Sequence, residues 1–333
     1  MNGSLLVTTA PHLKAPETTP VIMWSVVMSL VPVVAAATYF FGPSALLVIA
    51  AAVLGAVLVE RLLSSPGTLR DGSAAITGIL LGLTLPAGLP LWMAFVGGAF
   101  AIAFGKVIFG GLGQNVFNPA LLGRAFLQAA FPMALTTWPV RRESWWALAG
   151  DNFAIPLMSP QVPEGTTGAT PLGLQKFEHT LTPLGDLAFG STGGSLGETA
   201  AVVILLCGVY LALRNHLNWR TPASILLTVA VLSQLLHLLD PARYPDGAFM
   251  VLSGGLMLGA VFMATDPVTS PITNPGRWVF GAGVGVLVVV IRLWGGLAEG
   301  VMYAILLMNA MVPFINRVTQ PRVFGTTAKA SGP

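Results

Sequence analysis

The first group in this chain placed to do chemistry is a hydroxyl in a glycine-hinged turn. Residues 164–172 read Glu-Gly-Thr-Thr-Gly-Ala-Thr-Pro-Leu. Glycine and alanine before Thr170 leave its hydroxyl open, and Pro171 limits how the chain continues. Such a hydroxyl could accept a phosphoryl group in ester linkage. Glu164 could hold a metal that neutralises the phosphate during attachment. The residues alone also fit an ordinary turn.

A few polar residues inside apolar stretches are the next candidates. Asn118 and Arg124 lie six residues apart in one of them. An ionisable group at membrane depth calls for a functional hypothesis. Arg124 could pair with a phosphate or another anion, and a structural ion pair is the equal alternative. Asn118-Pro119 fits an N-cap followed by proline at the first helical position. Thr221-Pro222 and Asn274-Pro275 fit the same pattern, and there the cap is the preferred reading. Glu60, Asp71 and Asp266 fall near helix ends. Asp71 suits a cap and Asp266 a turn. Together they could also guide a cation. Gly281, Gly283 and Gly285 lack the strand–turn–helix context of a dinucleotide fingerprint. The Gly78/Gly82 and Gly255/Gly259 pairs read as close helix packing. Cys207 is the only cysteine, which excludes an internal disulfide and any four-cysteine cluster made by this chain alone.

The elements that must position these groups are membrane helices. Of 333 residues, 54% are hydrophobic and 9% charged, against about 25% charged in soluble domains. Net charge is +3 with no basic cluster, so nucleic acid is not expected as a partner. Hydropathy and turn signals place about ten spans: 22–41, 45–60, 73–86, 90–109, 118–136, 198–214, 222–239, 249–264, 277–294 and 298–315. The span at 73–86 is shorter than the roughly 20 residues of a full crossing. The expected class is an all-α polytopic membrane protein. Its first membrane half covers 1–136, a loop covers 137–197, and the second half covers 198–333.

A weak internal repeat relates the halves. Gly110 to Phe126 aligns with Gly295 to Met311, and 7 of 17 positions are identical. Thr77 to Pro86 aligns with Leu258 to Pro267. Two five-helix halves run in opposite directions because five is odd, so the repeat is inverted. Lysine and arginine favour a cytoplasmic N-terminus. That side then holds ten of them, the other side holds Arg141, Arg142, Lys176, Arg243 and Arg292, and Arg124 lies within a span. Both termini are expected in the cytoplasm and the 137–197 loop outside. Trp138, Trp145 and Trp146 read as an interfacial anchor for that loop.

Four motifs in order carry a family resemblance. They are Ala10-Pro11-His12-Leu13-Lys14, the stretch GGLGQNVFNPALLGRAF at 110–126, the 164–170 turn, and FMATDPVTSP at 262–271. The chain resembles the RnfD and NqrB membrane proteins, and its short N-terminus favours RnfD. In that family an acidic residue, two variable residues, Ser or Thr, and Gly-Ala-Thr form the flavinylation site. The resemblance implies FMN in phosphoester linkage to Thr170, within a motif formed by Glu164, Thr167, Gly168, Ala169, Thr170 and Pro171. Glu164 stands where Asp is usual and Thr167 where Ser is usual.

It further implies a bacterial inner-membrane component of an ion-translocating ferredoxin:NAD oxidoreductase, coupled to Na+ or H+. This component would be an electron carrier rather than a stand-alone catalyst. Its partners would be the other Rnf complex members, membrane lipid and a flavin transferase during maturation. A non-covalent riboflavin is a second implied cofactor; with flavin implied, Asn118 and Arg124 become candidate contacts to a flavin phosphate or a reduced ring, and Glu60, Asp71 and Asp266 candidate contacts to the second flavin. Flavin suits such a post because it exchanges one or two electrons. The rival reading, from the inverted repeat and sparse charge alone, is a channel or solute transporter without flavin, akin in architecture to urea and ammonium channels. The discriminating feature is the 164–170 motif, which a channel does not need.

Overall fold

The computed structural model describes residues 18–65, 67–138, 145–146, 148, 152–156, 168–190, 192–198 and 200–321. The amino-terminal motif at 10–14, Arg141, Arg142, Glu164 and Thr167 lie outside them. The described residues are helical wherever the chain is regular. Among the described residues, five helices have the length and apolar composition to cross a membrane: α1 (Thr19–Phe41), α2 (Pro43–Leu63), α10 (Arg220–Leu239), α13 (Asn274–Trp294) and α14 (Val301–Thr319). Three apolar helices are shorter: α3 (Ser73–Leu83), α4 (Leu91–Ile102, continuing as a wider turn through Ala103–Val107) and α9 (Ala201–Leu213). The remaining helices are α5 (Pro119–Ala130), α6 (Pro132–Thr136), α7 (Pro171–Gly173, continuing through Leu174–Glu178), α8 (Leu184–Phe189), α11 (Gly247–Leu252) and α12 (Leu256–Leu258, continuing through Gly259–Met263).

The short span at 73–86 is found as the 11-residue α3, about 16 Å at 1.5 Å per residue. Two expected spans are broken. That at 118–136 divides at Phe131-Pro132 into α5 and α6, because a proline ring supplies no N–H for the helix and crowds the preceding turn. That at 249–264 divides at Ser253-Gly254-Gly255, where Gly254 adopts φ +66°. A Cβ there would sit 2.6 Å from Leu172 Cδ1 and 3.0 Å from Arg292 Nη2.

The caps also correct two expectations. Asn118 does cap α5, accepting from Ala120 N at 3.0 Å and Leu121 N at 3.3 Å. Ahead of α13, however, Thr273 rather than Asn274 is the cap, accepting from Gly276 N at 3.1 Å. Thr221 lies inside α10, and Asn218 Oδ1 accepts from Arg220 N instead.

Small residues set the packing. Cβ atoms on Gly78 and Gly82 would lie 2.5 Å and 2.8 Å from the Cα atoms of Val53 and Ile49 on α2. On Gly281 and Gly285 they would lie 2.5 Å and 2.7 Å from Ser224 Cβ and Thr228 Cβ on α10. The 281–285 glycines thus serve helix packing. The tightest crossing joins α2 and α4, where Cβ atoms on Gly55 and Gly98 would lie 2.1 Å from Phe95 O and Ala52 O. Neither backbone can yield without parting the helices. Gly98→Val is expected to destabilise the fold by about 1–3 kcal/mol, read as a lower thermal midpoint in detergent by tryptophan fluorescence.

Candidate functional site

Thr170 caps α7. Its Oγ1 accepts from Gly173 N at 3.1 Å, and Pro171 occupies the first helical position, where no N–H is required. The preceding backbone is tied down, with Gly168 N donating to Trp138 O at 2.8 Å. Lys176, later in α7, donates to Arg292 O at 3.0 Å, Gly295 O at 2.5 Å and Leu297 O at 2.8 Å. These bonds staple α7 to the connection between α13 and α14, and burial lowers the Lys176 pKa from the usual lysine value. Lys176→Met is expected to speed amide hydrogen exchange in 171–178 while leaving α2 and α4 unchanged, since only the staple is lost.

Thr170 borders a cavity of about 140 Å3. Arg124 and Gln128 of α5, Thr84 after α3, Trp138, Glu198 and Glu299 are among its walls, with Leu121, Leu135 and Leu172 as apolar surface. Arg124 donates through Nη1 to Thr84 O. Its Nη2 lies 3.8 Å from Glu299 Oε2. Glu299 Oε1 accepts from Gly255 N and lies 3.9 Å from Arg292 Nη2. Arg292 is buried and donates to Met250 O at 2.6 Å and Ser253 O at 2.9 Å. These last bonds satisfy carbonyls freed where the helix breaks between α11 and α12.

A second cavity, of about 100 Å3, lies at the other end of α3 and α5. Its walls include Ser73, Lys106, Asn115, Asn118, His216 and Asp266. Asn118 Nδ2 donates to Met263 O at 3.1 Å, and Met263 lines the first cavity. The two cavities therefore lie nearly back to back: α3 gives Leu80 to one and its end gives Thr84 to the other, while α5 gives Ala120 to one and Leu121 to the other. Asp266 Oδ1 accepts from Val268 N at 3.2 Å, and Oδ2 accepts from Thr269 Oγ1 at 3.1 Å. The expected turn role is real, and the residue faces the cavity as well. Asp71 stands one step behind: its Oδ1 accepts from Ser73 N at 2.8 Å and Ser73 Oγ at 2.6 Å, and its Oδ2 lies 3.7 Å from Lys106 Nζ. Lys106 Nζ also lies 2.5 Å from Glu60 Oε1 and donates to Ser73 Oγ at 2.5 Å.

The structure thus divides the expected residues into two sets. Thr170, Pro171 and Arg124 line the first cavity, Gly168 and Ala169 lead into it, and Asn118, Asp266 and, indirectly, Asp71 belong with the second. Sequence reasoning assigned no role to Glu198, Glu299 or Arg292, which complete the first cavity's charge, or to Lys106 at the second. One signal was present: Glu198 and Glu299 are the acidic residues that open two apolar runs. Among the described residues no group of three His, Cys, Asp or Glu side chains is placed to hold a metal.

Known proteins resemble this chain over nearly its whole length. The chain is 43% identical over 330 residues to the D component of the ion-translocating oxidoreductase complex of Stutzerimonas stutzeri, with 92% of each chain covered. It is 40% identical over 332 residues to the D component of the Na(+)-translocating ferredoxin:NAD(+) oxidoreductase complex of Acetobacterium woodii, covering 97% of this chain and 96% of that one. It is 39% identical over 334 residues to the proton-translocating counterpart from Clostridium ljungdahlii, covering 96% of each. The NQR2, RnfD, RnfE family model matches residues 6–325, and the chain belongs to that family.

Proposed function

We propose that this chain is the flavin-carrying membrane component of an Rnf-type ion-translocating ferredoxin:NAD oxidoreductase in the bacterial inner membrane. It passes electrons and does not itself turn over ferredoxin or NAD. The observation that carries the reading is Thr170, a capped hydroxyl at the rim of a cavity walled by an arginine and apolar side chains. The residues fit FMN. The bond from Gly173 N uses one Oγ1 lone pair, which an ester oxygen keeps. Arg124 offers a guanidinium to phosphate or to charge on a reduced ring. Leu121, Leu135, Leu172 and Trp138 offer apolar surface to a flat ring system. When bound, the flavin supplies one- and two-electron chemistry. The protein's part is to fix the attachment oxygen, to surround the ring and to set the local charge.

The second cavity supports a non-covalent riboflavin, with Asn115, Asn118 and Asp266 as polar contacts and Asp71 fixing Ser73. Cavities back to back within the bundle would place two carriers in series. The fold in this reading is ten spans in two inverted repeats, with both termini cytoplasmic and the Thr170 connection periplasmic. Its support is the internal repeat, which aligns Thr84 and Arg124 of the first half with Thr265 and Asn309 of the second. The other Rnf complex members, lipid and a flavin transferase are the partners that follow.

The test is a purified complex reduced under anaerobic conditions with reduced ferredoxin. Bleaching of a flavin absorption band that remains with this chain after denaturing separation supports the reading. A complex that turns over at full rate with no flavin on this chain refutes it.

A further inference from the structure

The cavity beneath Thr170 contains a carboxyl pair. Glu198 lies in the connection ahead of α9, and Glu299 lies ahead of α14. Both approach Gly255: a Cβ there would sit 2.9 Å from Glu299 Oε1 and 3.6 Å from Glu198 Oε1. The two carboxyl groups therefore converge on the same point of the cavity wall and act directly on each other. A hydrogen bond between them needs a proton on one, because an ionised carboxylate only accepts.

The surroundings decide which one carries it. Glu299 accepts from Gly255 N and faces both guanidiniums, Arg124 at 3.8 Å and Arg292 at 3.9 Å. Glu198 accepts a long bond from Ser195 N, at 3.3 Å to Oε2, and feels Arg124 more weakly, but no backbone or cationic donor reaches its buried Oε1. Negative charge is therefore stabilised on Glu299, and the proton belongs on Glu198. Among the described residues, the charged or titratable groups that face this pair or line its cavity are Arg124 from α5, Arg292 from α13 and Tyr303 from α14.

Charge accounting gives the consequence. With Glu198 neutral, two arginines and one carboxylate leave the cluster at +1. With Glu198 ionised, the cluster is neutral. We propose that Glu198 is the proton-holding residue of this cavity, and that its ionisation sets the charge presented to the group on Thr170. The inference rests on the flavin reading above. An electron arriving from an iron–sulfur carrier of the complex adds negative charge to the flavin. The +1 cluster favours that charge and the neutral cluster does not. The Glu198 proton stays on its carboxyl oxygen and acts through the field alone. Glu198 is thus a positioning residue for charge, one that makes the potential of the attached flavin depend on pH beyond the flavin's own protonation.

The experiment is an anaerobic redox titration of the covalent flavin in the purified complex, from about pH 6 to about pH 10. Wild type is compared with Glu198→Gln, in which the amide stands for the neutral acid. The two potentials should coincide at the acid end. They should diverge as pH rises, with wild type harder to reduce by about tenfold or more in the reduction equilibrium, as expected for one charge acting across a cavity. Parallel curves throughout would overturn the proposal. Glu299→Gln provides a second test, read against wild type: it removes the facing carboxylate, so Glu198 ionises more readily beside two arginines, and the bend in the plot of potential against pH should move to lower pH. An unmoved bend counts against the proposal, and this comparison does not need Glu198→Gln to assemble. Covalent flavin with parallel curves refutes this inference alone, whereas a wild-type chain without covalent flavin removes the reading beneath it.

Discussion

Thr170→Val is expected to yield a folded protein with no covalent flavin and a complex that no longer passes electrons from ferredoxin to NAD. The side chain's visible structural duty is one capping bond to Gly173 N. Losing a cap costs about 1 kcal/mol, and valine keeps the shape. The staple from Lys176 to the α13–α14 connection does not involve Thr170, so α7 should stay in place. The chemical loss is complete, because valine has no oxygen to esterify. Flavin fluorescence of the denatured band and ferredoxin-dependent NAD reduction should vanish together, while thermal stability stays close to wild type. Thr170→Ser keeps the oxygen and should retain fluorescence. A valine variant with wild-type turnover would show that electrons take a route independent of this residue.

Lys106→Met should produce the largest stability loss in the membrane core. Lys106 and Glu60 are 3% and 0% exposed, and Asp71 stands 3.7 Å from the same ammonium. Glu60 Oε2 already lacks a hydrogen-bond partner. Removing the only cation in contact with these two carboxylates among the described residues leaves Glu60 charged and uncompensated. Breaking a buried pair in this way costs about 3–5 kcal/mol. Replacing both members, as Glu60→Met with Lys106→Met, should recover most of the loss, since the desolvation penalty is then removed as well. Thermal unfolding of the three variants in detergent checks this order. A double variant no more stable than Lys106→Met would show that packing, not charge, explains the loss. Lys106 also lines the second cavity, so the single variant should release any non-covalent flavin held there.

The places where the chain could be read in advance are those governed by local chemistry. Apolar runs bounded by proline and glycine gave the long helices near their observed limits, and the Asn118 cap was one of the two readings its neighbour Pro119 left open. The capping errors at Thr221 and Asn274 came from the same local rule. There, Asn218 and Thr273 lay close enough upstream to take the backbone N–H groups first. The breaks at Phe131 and Gly254 were less legible, because hydropathy continues across them. Arg124 was visible as a charge in an apolar stretch, but its partners Thr84 and Glu299 lie 40 and 175 positions away and meet it only in the folded bundle. The acid pair had the same obstacle, since Glu198 and Glu299 begin separate helices. The division of Asn118 and Arg124 between two cavities was also hidden. Six residues is less than two helical turns, yet the septum between the cavities passes between them.

Mass spectrometry of the peptide that contains Thr170, from protein made in a host with a working flavin transferase, tests the central claim most directly. The account predicts a gain equal to FMN less one water, localised by fragmentation to the Thr170 oxygen. An unmodified peptide, in a host that flavinylates a control protein, would contradict it and favour the channel or transporter reading of the same bundle.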